Sequence, residues 1–515
     1  MPPPASTLDE FLTQLDAEGR LVHVERFRAR AAVHGSLDRP LPDDVGKRVG
    51  LDGLWSHQAE AINHARAGRS VVVATGTASG KSLCYQLPIA EAVADPVRPG
   101  TALLLFPTKA LAHDQLRSLA EFEFPDVVAA TYDGDSNPEQ RTWVRNNANV
   151  VLTNPEMLHH GLLPHHGRWS TFLMRLRFVV VDELHVLRGI FGTHVAHLLR
   201  RLRRIAQRYG SDPTFIFSSA TIGQPSRLAG ELCGLPVAEV SSDGSPRGPR
   251  TFALLNPPIV DEESGVRTST NAETAVVTAG LVRSGHRTIS FCRSRKGTEL
   301  VAADVARRLP ADQRDQVKPY RAGYLAAERR EIEDELFSGR LRAVVATSAL
   351  ELGVDIGGLD AVVLNGFPGT IASMWQQAGR AGRELQESAS VLVAGDDALD
   401  QWLMAHPHEV FERQPEPAVI NIANPFIAVP HLACAAYEQP LARSDERWWP
   451  AELLHDGVRD LVRDDALRLR IRRGEPQAVW ATRGYPSRGM GLRNGGGREF
   501  RIAFADGTLV GTVDE

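Results

Sequence analysis

Lys81 is one of only five lysines in the chain, with Lys47, Lys109, Lys296 and Lys318, and its surroundings are those of a phosphate ligand. The apolar run Val71-Val72-Val73 leads into Ala74-Thr75-Gly76-Thr77-Ala78-Ser79-Gly80-Lys81-Ser82, and a helical pattern follows from Leu83 to Val93. Small residues at Thr77, Ala78, Ser79 and Gly80 let consecutive backbone N–H groups approach a phosphate. An ammonium at Lys81 reaches the β and γ phosphates, and the Ser82 hydroxyl ligates Mg²⁺. The stretch fits an ATP phosphate-binding loop with one departure: Thr75 occupies the position where glycine opens the motif, and Gly76 follows. Taken alone, a glycine-rich turn that binds nothing is the competing reading.

About one hundred residues on, Phe178-Val179-Val180-Val181-Asp182-Glu183-Leu184-His185 puts two carboxylates at the end of an apolar strand, where ligands of parallel sheets bind. Asp182 is suited to hold Mg²⁺ and Glu183 to polarise an attacking water. An isolated acidic pair is as often a helix cap, but after a phosphate-binding loop in the same sheet it reads as a Walker B. Further along, Gln376-Gln377-Ala378-Gly379-Arg380-Ala381-Gly382-Arg383 carries two arginines three apart. They form either a solvated stripe or arginine fingers that stabilise γ-phosphate charge. In the second case the site is complete only when two domains close.

Two stretches of alternating strand and helix patterns must position these groups. The first has apolar strands at 70–73, 102–106, 150–152, 178–181 and 214–217, the second at 288–291, 343–345, 361–364 and 390–393. Fully apolar strands separated by helices predict a parallel sheet covered on both faces, twice over. The expected organisation is α/β: an N-terminal extension (1–45), two tandem parallel-sheet domains (46–245 and 246–395) and a mainly helical accessory region (396–515). Residues 241–249 read as the boundary loop, and 261–271 as an exposed loop. The basic run 468–473 is a candidate for duplex contact in a winged-helix-like element, and 500–513 reads as a hairpin around Asp506-Gly507. The run Arg200-Arg201-Leu202-Arg203-Arg204 is expected to be a solvated helix face.

With 515 residues the chain is multidomain. Its 58 basic and 63 acidic residues leave a net charge of -5, so a uniformly basic nucleic-acid coat is excluded and any phosphate-binding surface is local. Cys84, Cys233, Cys292 and Cys434 form no C-x-x-C pair, which suggests neither a disulfide framework nor a local zinc site. No apolar run approaches the roughly 20 residues of a membrane span and no signal peptide opens the chain; the expectation is a soluble, cytoplasmic protein.

The order of motifs resembles the superfamily 2 DExH helicases from about residue 50 to 390, with RecA-like domains. Leu54-Trp55-Ser56-His57-Gln58 looks like the Q motif, Phe106-Pro107-Thr108-Lys109-Ala110-Leu111-Ala112 like motif Ia, and Thr153-Asn154-Pro155-Glu156 like motif Ib. Ser219-Ala220-Thr221 matches motif III, Phe291-Cys292-Arg293-Ser294-Arg295 motif IV, residues 347–356 motif V, and residues 376–383 motif VI. Within that superfamily, 75–85, 132–135, 320–324 and 431–438 are similar to the bacterial mitomycin-repair helicase family, related to fungal RecQ-like repair helicases, and Thr75 is that family's own form. The resemblance implies ATP and Mg²⁺ as cofactors and a helicase moving 3′ to 5′ on single-stranded or forked DNA, with a role in DNA repair. Gln376, Arg380 and Arg383 join Lys81, Asp182 and Glu183 in catalysis, while Gln58 reads adenine and Gly353 and Asp355 hold the nucleotide. Thr108, Lys109, Thr153, Arg293 and Thr347 are the implied phosphate contacts, although strand-end threonines also serve as caps and Arg293 also suits a surface ion pair. That family's tetracysteine zinc domain has no counterpart in the four dispersed cysteines, so the chain reads as a truncated or divergent member. An RNA helicase, or a nucleic-acid-binding scaffold with a vestigial ATPase, are the alternatives. Protein partners are not legible.

Overall fold

The computed structural model describes residues 7–49, 53–263, 265–321, 323–324, 326–351, 357–383, 385–472, 474–493, 499–503 and 509–514. Two seven-stranded sheets organise it. The first runs, edge to edge, Ala129–Thr131, Val150–Thr153, Thr101–Leu105, Leu176–Val181, Thr214–Ser219, Val71–Ala74 and Ala238–Val240, with every pairing parallel. Val71, Val73, Leu104 and Val180 point to one core and Val72, Leu103, Val179 and Phe217 to the other. Burial on both faces is why these strands are apolar throughout rather than alternating.

In the second sheet the order is Leu21–Phe27, Arg250–Leu255, Ser388–Val393, Ala361–Asn365, Thr288–Cys292, Ala343–Ala346 and Val317–Tyr320. All its pairings are parallel except the first. That edge strand differs from the expectation of an N-terminal extension. Residues 7–27 build onto the second domain: Thr7 and Glu10 form a capping box for the helix Leu8–Ala17, and Leu8, Phe11, Leu12 and Leu15 enter the second core. The chain then crosses back, pairing Arg30 with Arg247 and His34 with Trp55. The junction between the domains is therefore a two-stranded ribbon. The stretch 261–271, expected to be loop, holds part of a small hairpin (Ile259–Asp261 with Val266–Arg267) and the start of the helix Thr270–Arg283.

After residue 395 the chain forms the helices Ala398–Ala405, His408–Glu412, Pro425–Glu438 and Ala451–Arg463 and a three-stranded sheet ordered Leu441–Ala442, Glu475–Trp480, Leu467–Arg472, whose first strand falls between the last two helices. The basic run lies on its edge strand with Arg468, Arg470 and Arg472 exposed; Arg473 lies outside the described residues. Strands Glu499–Ala503 and Leu509–Asp514 pair antiparallel, as the hairpin reading requires.

The arginine run on the helix Gly189–Arg208 is a correction. Arg200, Arg201 and Arg204 are buried rather than solvated. Arg204 grips Asp445 through two bonds of 2.7 and 2.9 Å and the carbonyls of Ala435, Gln439 and Pro440. Arg200 donates to the carbonyls of Trp448 and Leu232, and Arg201 pairs with Glu438. Guanidinium groups tolerate burial where acceptors fill their fork. Apart from Leu232, these acceptors lie more than 200 positions away, so the accessory region is fastened to the first domain.

Candidate active site

The phosphate-binding loop sits at the carboxyl end of the buried strand Val71–Ala74. Ala78 and Gly80 have left-handed φ values of 57° and 63°. At Gly80 a side chain is excluded twice over, since a Cβ would lie 2.6 Å from Gln58 Nε2 and 2.8 Å from the Trp55 ring. The Thr75 hydroxyl lies 2.7 Å from Ser79 Oγ, which in turn donates to the Gly76 carbonyl at 2.8 Å. The departure from glycine thus laces the loop across its mouth. Gln58 donates to the Gly80 carbonyl at 3.0 Å and accepts from Trp55 N–H at 3.0 Å, so its amide braces the loop in this state. Lys81 Nζ donates to the Thr75 and Gly76 carbonyls at 3.1 and 2.6 Å. Burial pushes the Lys81 ammonium below its ordinary pKa, while Glu183 and Asp182 pull it back up. Ser82 Oγ donates to Gln115 Oε1 at 2.9 Å, an acceptor shared with Tyr85 OH at 2.7 Å.

Asp182 and Glu183 follow the strand Leu176–Val181. Glu183 has a left-handed φ of 54°, a conformation that costs a non-glycine residue on the order of 1–3 kcal/mol and collects at functional sites. Its N–H donates to Asp182 Oδ1 at 2.9 Å, and the hydroxyl of Ser218, next to motif III, donates to that same oxygen. Burial raises both carboxyls above the usual range; at Asp182 the neighbouring Glu183 adds to the rise, and at Glu183 Lys81, Arg380 and Arg383 oppose it. His185 Nδ1 lies 3.3 Å from Glu183 Oε2, and burial pushes that imidazole down to about 4.

Motif VI faces this group from the second domain. The helix Ile371–Ala378 carries Gln376, whose amide donates to the Glu351 carbonyl at 3.3 Å; Arg380 donates to the same carbonyl. Arg383 lines a small cavity with Thr77, Ala78, Arg247, Arg250 and Gly379. Thr77 Oγ1 donates to the Gly379 carbonyl at 3.0 Å, a direct bond from phosphate-binding loop to motif VI. Position 379 has no room for a side chain, because a Cβ would lie 2.1 Å from Thr77 Oγ1. Gly353 and Asp355 lie outside the described residues. The donor set fits a nucleoside triphosphate with its divalent cation: a lysine and left-handed backbone at the loop, a hydroxyl and two carboxylates beside it, and arginines opposite.

The expected nucleic-acid residues are engaged within the protein. Thr108 Oγ1 accepts from Leu111 N–H as the cap of the helix Lys109–Glu121. Lys109 pairs with Asp135 at 2.7 Å. The buried Thr153 hydroxyl donates to the Tyr132 carbonyl at 2.5 Å. Thr347 caps a short helical turn, and Arg293 bridges Asp397 and Asp400 at 2.9 and 2.7 Å. One residue missed from sequence touches two of their motifs: Arg493, in the accessory region, donates to the Pro107 carbonyl at 2.8 Å and to Glu156 at 2.9 Å. No local pattern marks Arg493, whose partners are over 300 residues distant. Among the described residues no cluster of His, Cys, Asp and Glu could hold a metal ion, and no helix is long and apolar enough to cross a membrane.

Family models match three segments: DEAD/DEAH box helicase at 55–228, helicase conserved C-terminal domain at 272–384, and the winged helix domain of ATP-dependent helicase HRQ1 at 420–495. A solved structure of the DUF1998 helicase MrfA bound to DNA superimposes with a TM-score of 0.89 at 39% identity, covering 99% of this chain and 69% of that one. The chain belongs to the MrfA-type DExH helicases of superfamily 2. Its kinship within this MrfA type extends to the uncharacterized ATP-dependent helicase YprA of Bacillus subtilis, 40% identical over 95% of this chain, and to HRQ1 of Saccharomyces cerevisiae, 39% identical over 82%. The chain spans 65% of YprA and 41% of HRQ1.

Proposed function

We propose that the chain is an ATP-driven motor that translocates on single-stranded or forked DNA, 3′ to 5′, and unwinds duplex in DNA repair, working in the cytoplasm at the nucleoid. The observation that carries this reading is the cleft itself. Lys81, Asp182, Glu183 and Arg383 come from two domains, and Arg380 and Arg383 act electrostatically on the Glu183 carboxyl. A DNA-bound MrfA structure with AMPPNP, at 40% identity, supports ATP and DNA as ligands.

Lys81 releases its two loop carbonyls to hold the phosphates, and Ser82 turns from Gln115. Ser82 and Asp182 would hold Mg²⁺, which when bound neutralises phosphate charge. Glu183 accepts the proton of the attacking water, a task its raised pKa favours. Arg380 and Arg383 stabilise the charge developing on the transferred phosphoryl, and Gln376 orients Arg380 through their shared Glu351 carbonyl. Gln58, Gly353 and Asp355 complete the nucleotide pocket. Thr108, Lys109, Thr153, Arg293 and Thr347 lie in the motifs that would follow the strand, and contacts to phosphate give position without sequence, as a translocase needs. The intact catalytic set argues against a vestigial ATPase scaffold. The test is nucleic-acid-stimulated ATP hydrolysis by wild type and Glu183→Gln: stimulated turnover lost in the variant supports the reading, and turnover retained by Glu183→Gln removes it.

A further inference from the structure

His57 is fully buried between two backbone segments that belong to different working parts of the molecule. On one side its Nδ1 accepts from the Gly244 N–H at 3.2 Å. On the other its Nε2 meets the Ser79 carbonyl at 2.8 Å. A backbone N–H is always a donor and a carbonyl always an acceptor, so only the neutral tautomer protonated at Nε2 satisfies both. Burial holds the imidazole in that neutral form by lowering its pKa. Ser79 lies in the phosphate-binding loop. Gly244 lies in the interdomain ribbon, where its carbonyl accepts from Val33 N–H at 2.9 Å and the next turn pairs Arg30 with Arg247 through two bonds of 2.9 Å.

The ribbon also reaches the loop's opening. The Arg247 guanidinium, paired with Asp243, brings its Nη2 against Gly76, where a Cβ would fall 2.0 Å from it. Loop and ribbon thus meet at both ends of the glycine-rich turn, through hydrogen bonds of His57 at Ser79 and by close packing of Arg247 at Gly76. A loop that tightens on a phosphate shifts the Ser79 carbonyl, and a rigid imidazole bonded at both ring nitrogens passes that shift to the chain on which the second domain turns.

We propose that His57 is a positioning residue that couples the phosphate-binding loop to the two-stranded interdomain hinge, making domain closure follow nucleotide state. The proposal rests on the ATPase reading above. His57 touches neither substrate nor reacting atoms in it; it acts through Ser79 and Gly244.

The test uses the full chain and two substitutions that each keep one end of the connection. His57→Asn retains an acceptor near Gly244 N–H and loses the donor to Ser79; His57→Gln retains a donor near Ser79 and loses the acceptor. Both should lower the ratio of DNA-stimulated to unstimulated ATP turnover at saturating ATP, by about fivefold or more, while the affinity for a non-hydrolysable ATP analogue stays close to wild type. Arg30→Ala, which removes the guanidinium bonded to the Ser245 carbonyl at 2.7 and 3.1 Å, loosens the same ribbon. Combined with His57→Gln it should lower the ratio no further than the worse single variant. An unchanged ratio in either His57 variant, or multiplicative losses in the double variant, overturns the proposal. Absence of DNA-stimulated turnover in wild type would instead overturn the ATPase reading.

Discussion

Arg201 Nε and Nη2 both donate to the Glu438 carboxylate across the junction between the first RecA-like domain and the winged-helix region, with neither side chain exposed beyond 1%. Breaking such a buried pair leaves a charge without a partner, which costs roughly 3–5 kcal/mol. Arg201→Met should lower the denaturant midpoint accordingly, and Arg201→Met combined with Glu438→Leu should recover a large part of the loss. Equal destabilisation in single and double variants would contradict this account of the junction.

Beside that pair is a buried histidine cluster. His431 Nδ1 accepts from Arg201 at 3.1 Å, so its Nε2 carries the proton shared with His194 Nδ1 at 3.0 Å. Arg201 also donates to His159 at 2.9 Å, and Trp449 to His197 at 3.1 Å. Burial, with Arg201 beside them, holds His159 and His431 far below the ordinary imidazole pKa, and burial pushes His197 down to about 3. The unfolded chain takes up protons below about pH 6.5 that these folded imidazoles refuse, at about 1.4 kcal/mol per pH unit for each. Stability is therefore complete above that pH and lost on acidification, opposed in part by the raised Asp182 and Glu183 carboxyls. Denaturant unfolding at a series of pH values should show this slope, and His431→Gln should flatten it.

At the cleft, Gly379 is required by the Thr77 hydroxyl. Gly379→Ala should prevent closure while each domain folds normally, so stimulated ATP turnover falls by about 10²-fold, as for misplacements of about 1 Å near a reacting centre. Thr77→Ala in the same chain makes room for the new methyl and should restore part of the activity; steady-state turnover of the single and double variants checks it.

Lys81→Ala and Glu183→Gln should both abolish turnover and differ in binding. Lys81 contacts phosphates in the ground state, whereas Glu183 acts on the water, so Glu183→Gln should still bind a fluorescent ATP analogue and Lys81→Ala should not.

The cleft was largely legible in the sequence because its parts are local: each motif sits at the end of a strand whose unbroken apolar run announces two-sided burial. The edge strand Leu21–Phe27 was not, since it is half-buried and pairs antiparallel with a segment over 200 residues on. Arg200, Arg201 and Arg204 read as solvent-facing because the acceptors that bury them against the accessory region lie at 435–448 and no local periodicity reveals them. Gln58 is expected from the sequence to read adenine, whereas its contacts to Gly80 and Trp55 depend on loop geometry that no local pattern shows. Arg293 takes the ion-pair role its sequence also suits, with Asp397 and Asp400 as partners, while the Thr153 hydroxyl bonds the Tyr132 carbonyl instead of serving as the cap that a strand-end threonine suggests.

The most direct measurement is ATP turnover titrated in parallel with single-stranded DNA, duplex DNA and RNA at several salt concentrations. The account predicts strongest stimulation by single-stranded DNA, with an apparent affinity that falls steeply as salt rises because several phosphates are contacted. Turnover indifferent to all three, or stimulated as well by RNA as by single-stranded DNA, would contradict it.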